Sequence, residues 1–295
     1  MRYMSVRNEP FTEEPGEVDD RPVAVIRAST SPAELLQSSL WSLWRNRNLL
    51  LEMTLLRLKV RYRQSLLGWL WAILPPLVLM IVYTVIFSRI LGVKSGGLPY
   101  PIFIFAGLVP WTFFATTLST ATAGIVTHRY LISRAAFPRE IIPLSYVGAA
   151  CVDLAIGIVM IVLMMFYFGV SPSPTMIYAI PVIGVLIILS TALALGCACF
   201  QARFRDIGVA MPLLLQLLMF SAPVVYSSDV IPDAFKPIYF ANPVAVLIEE
   251  FRHAIVSGSG LGAFAMLYSF AVSCCLLIVL YYVFKRFDGT LADVL

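Results

Sequence analysis

The chain has 295 residues, of which 60% are hydrophobic and 13% charged, with a net charge of +4. A soluble domain carries roughly 25% charged residues, so this composition, with a mean hydropathy of +0.87, excludes a water-covered globule and specifies an all-α integral membrane protein. The length supplies about six spans of about 20 residues each, plus a tail and loops. The basic residues sit beside apolar runs, which points to membrane topology and to no nucleic-acid partner.

Residues 1–32 carry Glu9, Glu13, Glu14, Glu17, Asp19 and Asp20 among Pro10, Pro15 and Pro22. They have no apolar core, so they read as a disordered acidic cytoplasmic tail, not a cleavable signal peptide. Residues 33–65 form an amphipathic region. Leu51, Leu55, Leu58, Tyr62 and Leu66 recur at helical spacing, with Arg57, Arg61 and Gln64 on one side and Glu52, Lys59 and Arg63 on the other. Met53, Leu56 and Val60 make a second, narrower apolar stripe suited to a protein partner. The alternation RLKVRYR also suits a strand, but a lone strand at a membrane surface leaves its edges unpaired. The reading is therefore a basic amphipathic helix lying in the inner interface.

The transmembrane domain is expected over 66–287, with spans at about 66–88, 100–126, 144–169, 176–200, 208–226 and 263–284, and residues 288–295 as a cytoplasmic C-terminus. Gly68 allows the chain to turn into the first span, Trp69 and Trp71 anchor it at head-group depth, and Pro75 and Pro76 should kink it. With both termini inside, thirteen lysines and arginines flank the inner face, while Arg89, Lys94, Lys236 and Arg252 fall outside. The loop 127–143, THRYLISRAAFPREIIP, is expected to be a short docking helix. A topology loop explains Arg129, Arg134 and Arg139 but not the exposed Tyr130 and Phe137. The inner cluster Arg203, Arg205 and Asp206 is a weaker signal, since surface ion pairs contribute little.

Asp153 is the one carboxylate well inside a span; it reads as a helix-packing hydrogen bonder in preference to a proton carrier. Residues 227–260 are partly apolar but broken by Pro232, Pro237 and Pro243, and hold Glu249, Glu250, Arg252 and His253. They read as a re-entrant or interfacial hairpin between spans five and six, whose second helix starts with Asn242 as cap and Pro243 in its first turn. The five cysteines read as packing residues. There is no glycine-rich phosphate loop or metal-ligand cluster, so ATP work would fall to another chain and no catalytic residue is assigned.

In order, the motifs RYRQSLLGWLWAILPPL, FPREIIPLS, FRDI, SAPVVY and NP followed by FR resemble the permease subunit of type 2 ATP-binding-cassette exporters of polysaccharides, the O-antigen, capsule and teichoic acid group, over about residues 45–287. The resemblance implies a homodimer with two copies of a separate ATPase that binds ATP and Mg. It implies that His128, Arg129, Tyr130, Arg134, Phe137, Pro138, Arg139 and Glu140 couple to that ATPase, with Arg203, Arg205 and Asp206 as a second contact. The substrate would be a polyprenyl-diphosphate-linked glycan, O-antigen above all, moved out across the inner membrane. Arg57, Lys59, Arg61 and Arg63 would admit its diphosphate, and Trp71, Tyr83, Phe87, Phe114, Phe220 and Tyr226 are the candidates for an aromatic channel. Asn242, Pro243, Glu249 and Arg252 would belong to an outer gate. The alternatives are export of a drug or lipid on the same scaffold, or a membrane-embedded polyprenyl-phosphate enzyme or ion-coupled carrier; the candidate acid pairs Asp229–Asp233 and Glu249–Glu250 lack flanking metal or sugar-nucleotide residues.

Overall fold

A computed structural model describes residues 41–63, 65–66, 68–92, 99–134, 137–257 and 262–288. The acidic tail expected over 1–32 lies outside the described residues. Every regular element among the described residues is helical, as a bilayer demands of backbone that must satisfy its own polar groups. The order is α1 (Arg47–Tyr62), a 3-10 turn (Gly68–Ala72), α2 (Leu74–Tyr83) running on as a π-helix (Thr84–Ile90), α3 (Tyr100–Thr127) and α4 (Arg129–Arg134). There follow α5 (Ile141–Tyr167), α6 (Ala179–Arg203), α7 (Asp206–Phe220), α8 (Lys236–Tyr239), α9 (Pro243–Arg252) and α10 (Ala263–Asp288).

Among the described residues, five stretches are long and apolar enough to cross a membrane: Leu70–Ile90, Tyr100–Thr127, Ile141–Tyr167, Pro174–Arg203 and Ala263–Asp288. The segment expected as a span over 208–226 behaves differently. Its helix, α7, has 15 residues, a rise of about 22 Å against a hydrocarbon core of about 30 Å. It stops at Phe220, and the Ser-Ala-Pro that follows turns the chain, with Val224 N donating to Ala222 O at 2.8 Å.

The expected proline kink in the first span is also corrected. Pro75 and Pro76 lie in the first turn of α2, where a missing N–H leaves no broken bond. The span is irregular at its 3-10 start, Gly68–Ala72, and at the π-helix of Thr84–Ile90. Gly68 does turn the chain there, with a φ of 51° that favours glycine.

α3 is the central helix: Ile102, Ile104, Leu108, Phe114 and Ile125 are fully enclosed. α5 and α6 pack on it, and α10 packs on α6. Small residues permit these approaches: a Cβ at Gly157 would lie 2.9 Å from Val109, and one at Gly196 2.9 Å from Leu280. α1 runs beside α5 in the same sense, Thr54 against Gly148, Leu58 against Ala149 and Arg61 at Asp153. The side of α1 turned to the protein therefore holds Thr54, Arg57, Leu58 and Arg61, while Leu51 and Leu55 of the apolar stripe are exposed.

Candidate functional site

The loop after α3 starts with His128, whose Nδ1 lies 2.8 Å from Gly124 O. Its Nε2 lies 2.6 Å from Arg57 Nη1. A guanidinium only donates, so Nε2 accepts, Nδ1–H donates to the carbonyl, and the imidazole is neutral. Burial lowers the His128 pKa; the Gly124 bond opposes that, and the Arg57 charge adds to it. Arg57 also stacks 4.2 Å over the Tyr146 ring and reaches Ser145 Oγ at 3.4 Å. Burial lowers its pKa too, though arginine stays charged.

α4 carries Arg129 and Tyr130 exposed, the latter at 64%, and turns Ile132 inward. Phe137 packs with Ile132 against Ile125, Leu195 and Phe284. The side chain of Arg134 lies outside those described. After half-buried Pro138, Arg139 donates to the backbone oxygen of Asp288 and sits 3.5 Å from its carboxylate. Glu140 is fully buried. Its Oε1 accepts from Lys285 Nζ at 2.6 Å and from Tyr281 OH at 3.4 Å. Of the eight expected coupling residues, Arg129 and Tyr130 thus face outward, whereas His128, Arg139 and Glu140 tie the loop to other helices.

Arg203, Arg205 and Asp206 lie exposed between α6 and α7 at the same end. Arg203 stands 6.0 Å from the Phe287 ring. Gln201 Nε2 donates to Arg205 O at 3.3 Å, and Gly208 makes room for that side chain, since a Cβ there would lie 2.7 Å from the same nitrogen.

The four cations expected to admit a diphosphate do not form one group. Arg57 is bound to His128 and Ser145; Arg61 pairs with Asp153. Lys59 and Arg63 are exposed. Arg61 and Asp153 stand at a cleft of about 170 Å³ walled by Trp71, Pro75, Pro76 and Phe113. Among the other aromatics, Tyr83 and Phe87 form an edge-to-face pair at 6.0 Å. Phe114 is fully enclosed beside Trp111 and packs helices instead of facing open space. Phe220 is exposed at the end of α7, and Tyr226 OH donates to its carbonyl at 2.8 Å.

At the opposite end, Asn242 accepts from Val244 N at 3.0 Å and caps α9, with Pro243 in its first turn. Arg252 Nη1 donates to Glu249 Oε2 at 2.7 Å, both side chains buried. Arg252 Nη2 donates to the carbonyls of Pro223 and, at 3.2 Å, Val224. The same guanidinium lies 4.1 Å over Phe103. Ser228 donates to Glu249 Oε1 at 2.6 Å. This one cation therefore pins the SAPVVY reversal to α3 and α9. Glu250 Oε2 accepts from Gly262 N at 3.0 Å and satisfies the start of α10.

Sequence reasoning missed Lys285 and Asp288 as partners of the FPRE motif, and Gly107, where a Cβ would lie 2.5 Å from Val224 O and 2.6 Å from Arg252 Nη2. Lysine in the last turn of a span reads as a topology charge, and nothing local marks a partner 145 residues away. A glycine in the middle of a buried helix was the one available signal for the approach of Arg252. The five cysteines are free thiols. Among the described residues no three His, Cys, Asp or Glu side chains converge as a metal site would need.

The chain belongs to the ABC-2 type transporter family, which it matches over residues 37–256. It is similar to the "O-antigen export system permease protein RfbA" of Klebsiella pneumoniae, 31% identical over 213 residues, 72% of this chain and 82% of that protein. The Myxococcus xanthus protein of the same description is 28% identical over 212 residues, 71% of this chain and 81% of that one. "Polysialic acid transport protein KpsM" of Escherichia coli is 23% identical over 209 residues, 68% and 78% of the two chains. These relatives bear out the resemblance to polysaccharide-exporter permeases. With its family, its permease relatives and five membrane-length helices among the described residues, the chain is a multi-pass inner-membrane transport subunit.

Proposed function

We propose that this chain is the membrane half of an ATP-driven exporter that moves a polyprenyl-diphosphate-linked polysaccharide, of the O-antigen kind, outward across the inner membrane. Two copies form the pathway, and two copies of a separate ATPase, which binds ATP and Mg, dock at the α4 end. That end faces the cytoplasm with both termini. α7 together with the α8–α9 hairpin makes the sixth crossing and the outer gate, and α1 lines the inner interface. The observation that carries this reading is the α4 loop, which joins two membrane-length helices and presents Arg129 and Tyr130 outward while its ends are bonded inward. A topology loop needs no such anchoring. The glycan branch is favoured over drug or lipid export because the 31% relatives are O-antigen export permeases.

Inactivating the gene in its source strain tests the reading. The expected result is loss of surface glycan with accumulation of the lipid-linked form inside, and restoration by the intact gene together with its ATPase. Unchanged surface glycan overturns the substrate; a chain that never copurifies with an ATPase overturns the mechanism.

A further inference from the structure

The α4 loop has two ends, and each is tied to a different helix by a charged bond that is partly or wholly buried. At the first, the neutral ring of His128 accepts from Arg57 of α1 at 2.6 Å. At the second, fully buried Glu140 accepts from Lys285 of α10 at 2.6 Å, and Arg139 donates to Asp288 beside it. Between the ties, Arg129 and Tyr130 are exposed while Ile132 and Phe137 are packed. A force on the exposed face must leave through the tied ends. Exposed ion pairs would slip under it, because they contribute about 0–1 kcal/mol. The buried Glu140–Lys285 pair resists, because separating it strands a charge without water, and parting Arg57 from His128 takes a charge-assisted acceptor from a part-buried guanidinium.

We propose that Arg57 with His128 and Glu140 with Lys285 are two positioning pairs that divide the displacement of the α4 loop, the first passing it to α1 and the second to α10. This rests on the reading of the loop as the ATPase contact. The two branches reach different parts of the protein. α1 runs on through the 3-10 turn to α2 and the cleft at Arg61 and Trp71. α10 packs along α6, with Leu280 against Gly196. One stroke therefore acts on the side wall of the bundle and on its last helix through separate residues.

The test uses the full complex of the chain with its co-expressed ATPase, with the five cysteines replaced. Spin labels at Leu55→Cys and Tyr178→Cys report α1 against the far end of the bundle; labels at Arg286→Cys and Tyr178→Cys report α10. Pulsed EPR distances are compared without nucleotide and with ATP–vanadate, and ATP hydrolysis is followed in parallel. In the otherwise unchanged chain both distances shift. Arg57→Met or His128→Asn abolishes the α1 shift and leaves that of α10. Glu140→Gln or Lys285→Met does the reverse. Variants that silence both shifts together, or neither, while ATP hydrolysis continues, overturn the division of labour. Absence of any bound ATPase would instead overturn the functional reading and this inference with it.

Discussion

At the α9 end a single guanidinium, that of Arg252, is 2% exposed and directs its donors to Glu249 and to the backbone carbonyls of Pro223 and Val224. At the α4 end Arg57, Arg139 and Lys285 are each partly exposed and reach groups on other helices. Both arrangements hold a segment that is not itself a membrane-length helix. They differ in what can change. A carbonyl of a chain reversal has one position, so Arg252 fixes a shape. Bonds between side chains of separate helices join bodies, and when one body moves the other follows.

The sharpest way to break this contrast is Arg252→Met. It leaves Glu249 buried without its cation, and removing one partner of a buried pair costs about 3–5 kcal/mol. The unfolding midpoint of the purified protein should fall steeply, and adding Glu249→Met should recover most of the loss. If the single variant is as stable as the parent, Arg252 is not the lock of the reversal. Gly107→Ala attacks the same lock from α3, pushing a methyl into Val224 O and Arg252. Overpacking of this kind costs about 1–3 kcal/mol, read from the same midpoint. Removing the α9 cap with Asn242→Ala should cost about 1 kcal/mol and leave the α4 end untouched.

The smallest effect is a pH dependence confined to the α4 end. His128 has its pKa lowered from the ordinary 6.5, chiefly by burial. Above that value folded and unfolded chains both hold a neutral ring, and its contribution to stability is fully present. As pH falls below it, the unfolded chain takes up the proton first, so the contribution declines until the folded ring also protonates. A protonated ring has no lone pair for Arg57 and repels it. Hydrogen-exchange protection in α1, corrected for the intrinsic slowing of exchange in acid, should therefore fall on mild acidification, while protection in α9 should not. An equal fall in protection at both ends would refute the assignment to His128.

The membrane helices were legible because lipid removes alternatives: an apolar run of about 20 residues can satisfy its backbone only as a helix. Four of the six expected spans agree with helices to within a few residues, and the start of the first is displaced to Leu70. The segment expected as a span over 208–226 is helical only as far as Phe220, because hydropathy does not register that Ser221–Ala222–Pro223 can turn the chain where Arg252 supplies donors to the carbonyls of Pro223 and Val224. The cap Asn242–Pro243 was legible, since its partners lie two residues apart. The helix at Arg57–Arg63 was legible as a helix, but not the direction its arginines face. Charge on an amphipathic helix ordinarily points to water, and only the positions of His128, Ser145 and Asp153 draw Arg57 and Arg61 inward.

Composition and periodicity, then, were enough to determine that the chain lives in a bilayer, that its spans are helical and that basic and aromatic residues gather in the loop of 127–143. Those properties depend on solvent and on neighbours within one or two helical turns. Which of the loop residues look outward and which clasp α1 and α10 was decided by tertiary structure alone. The partners are 71 and 145 residues away, and a charge in a nearly dry environment takes whichever opposite group or lone pair the packing brings within reach.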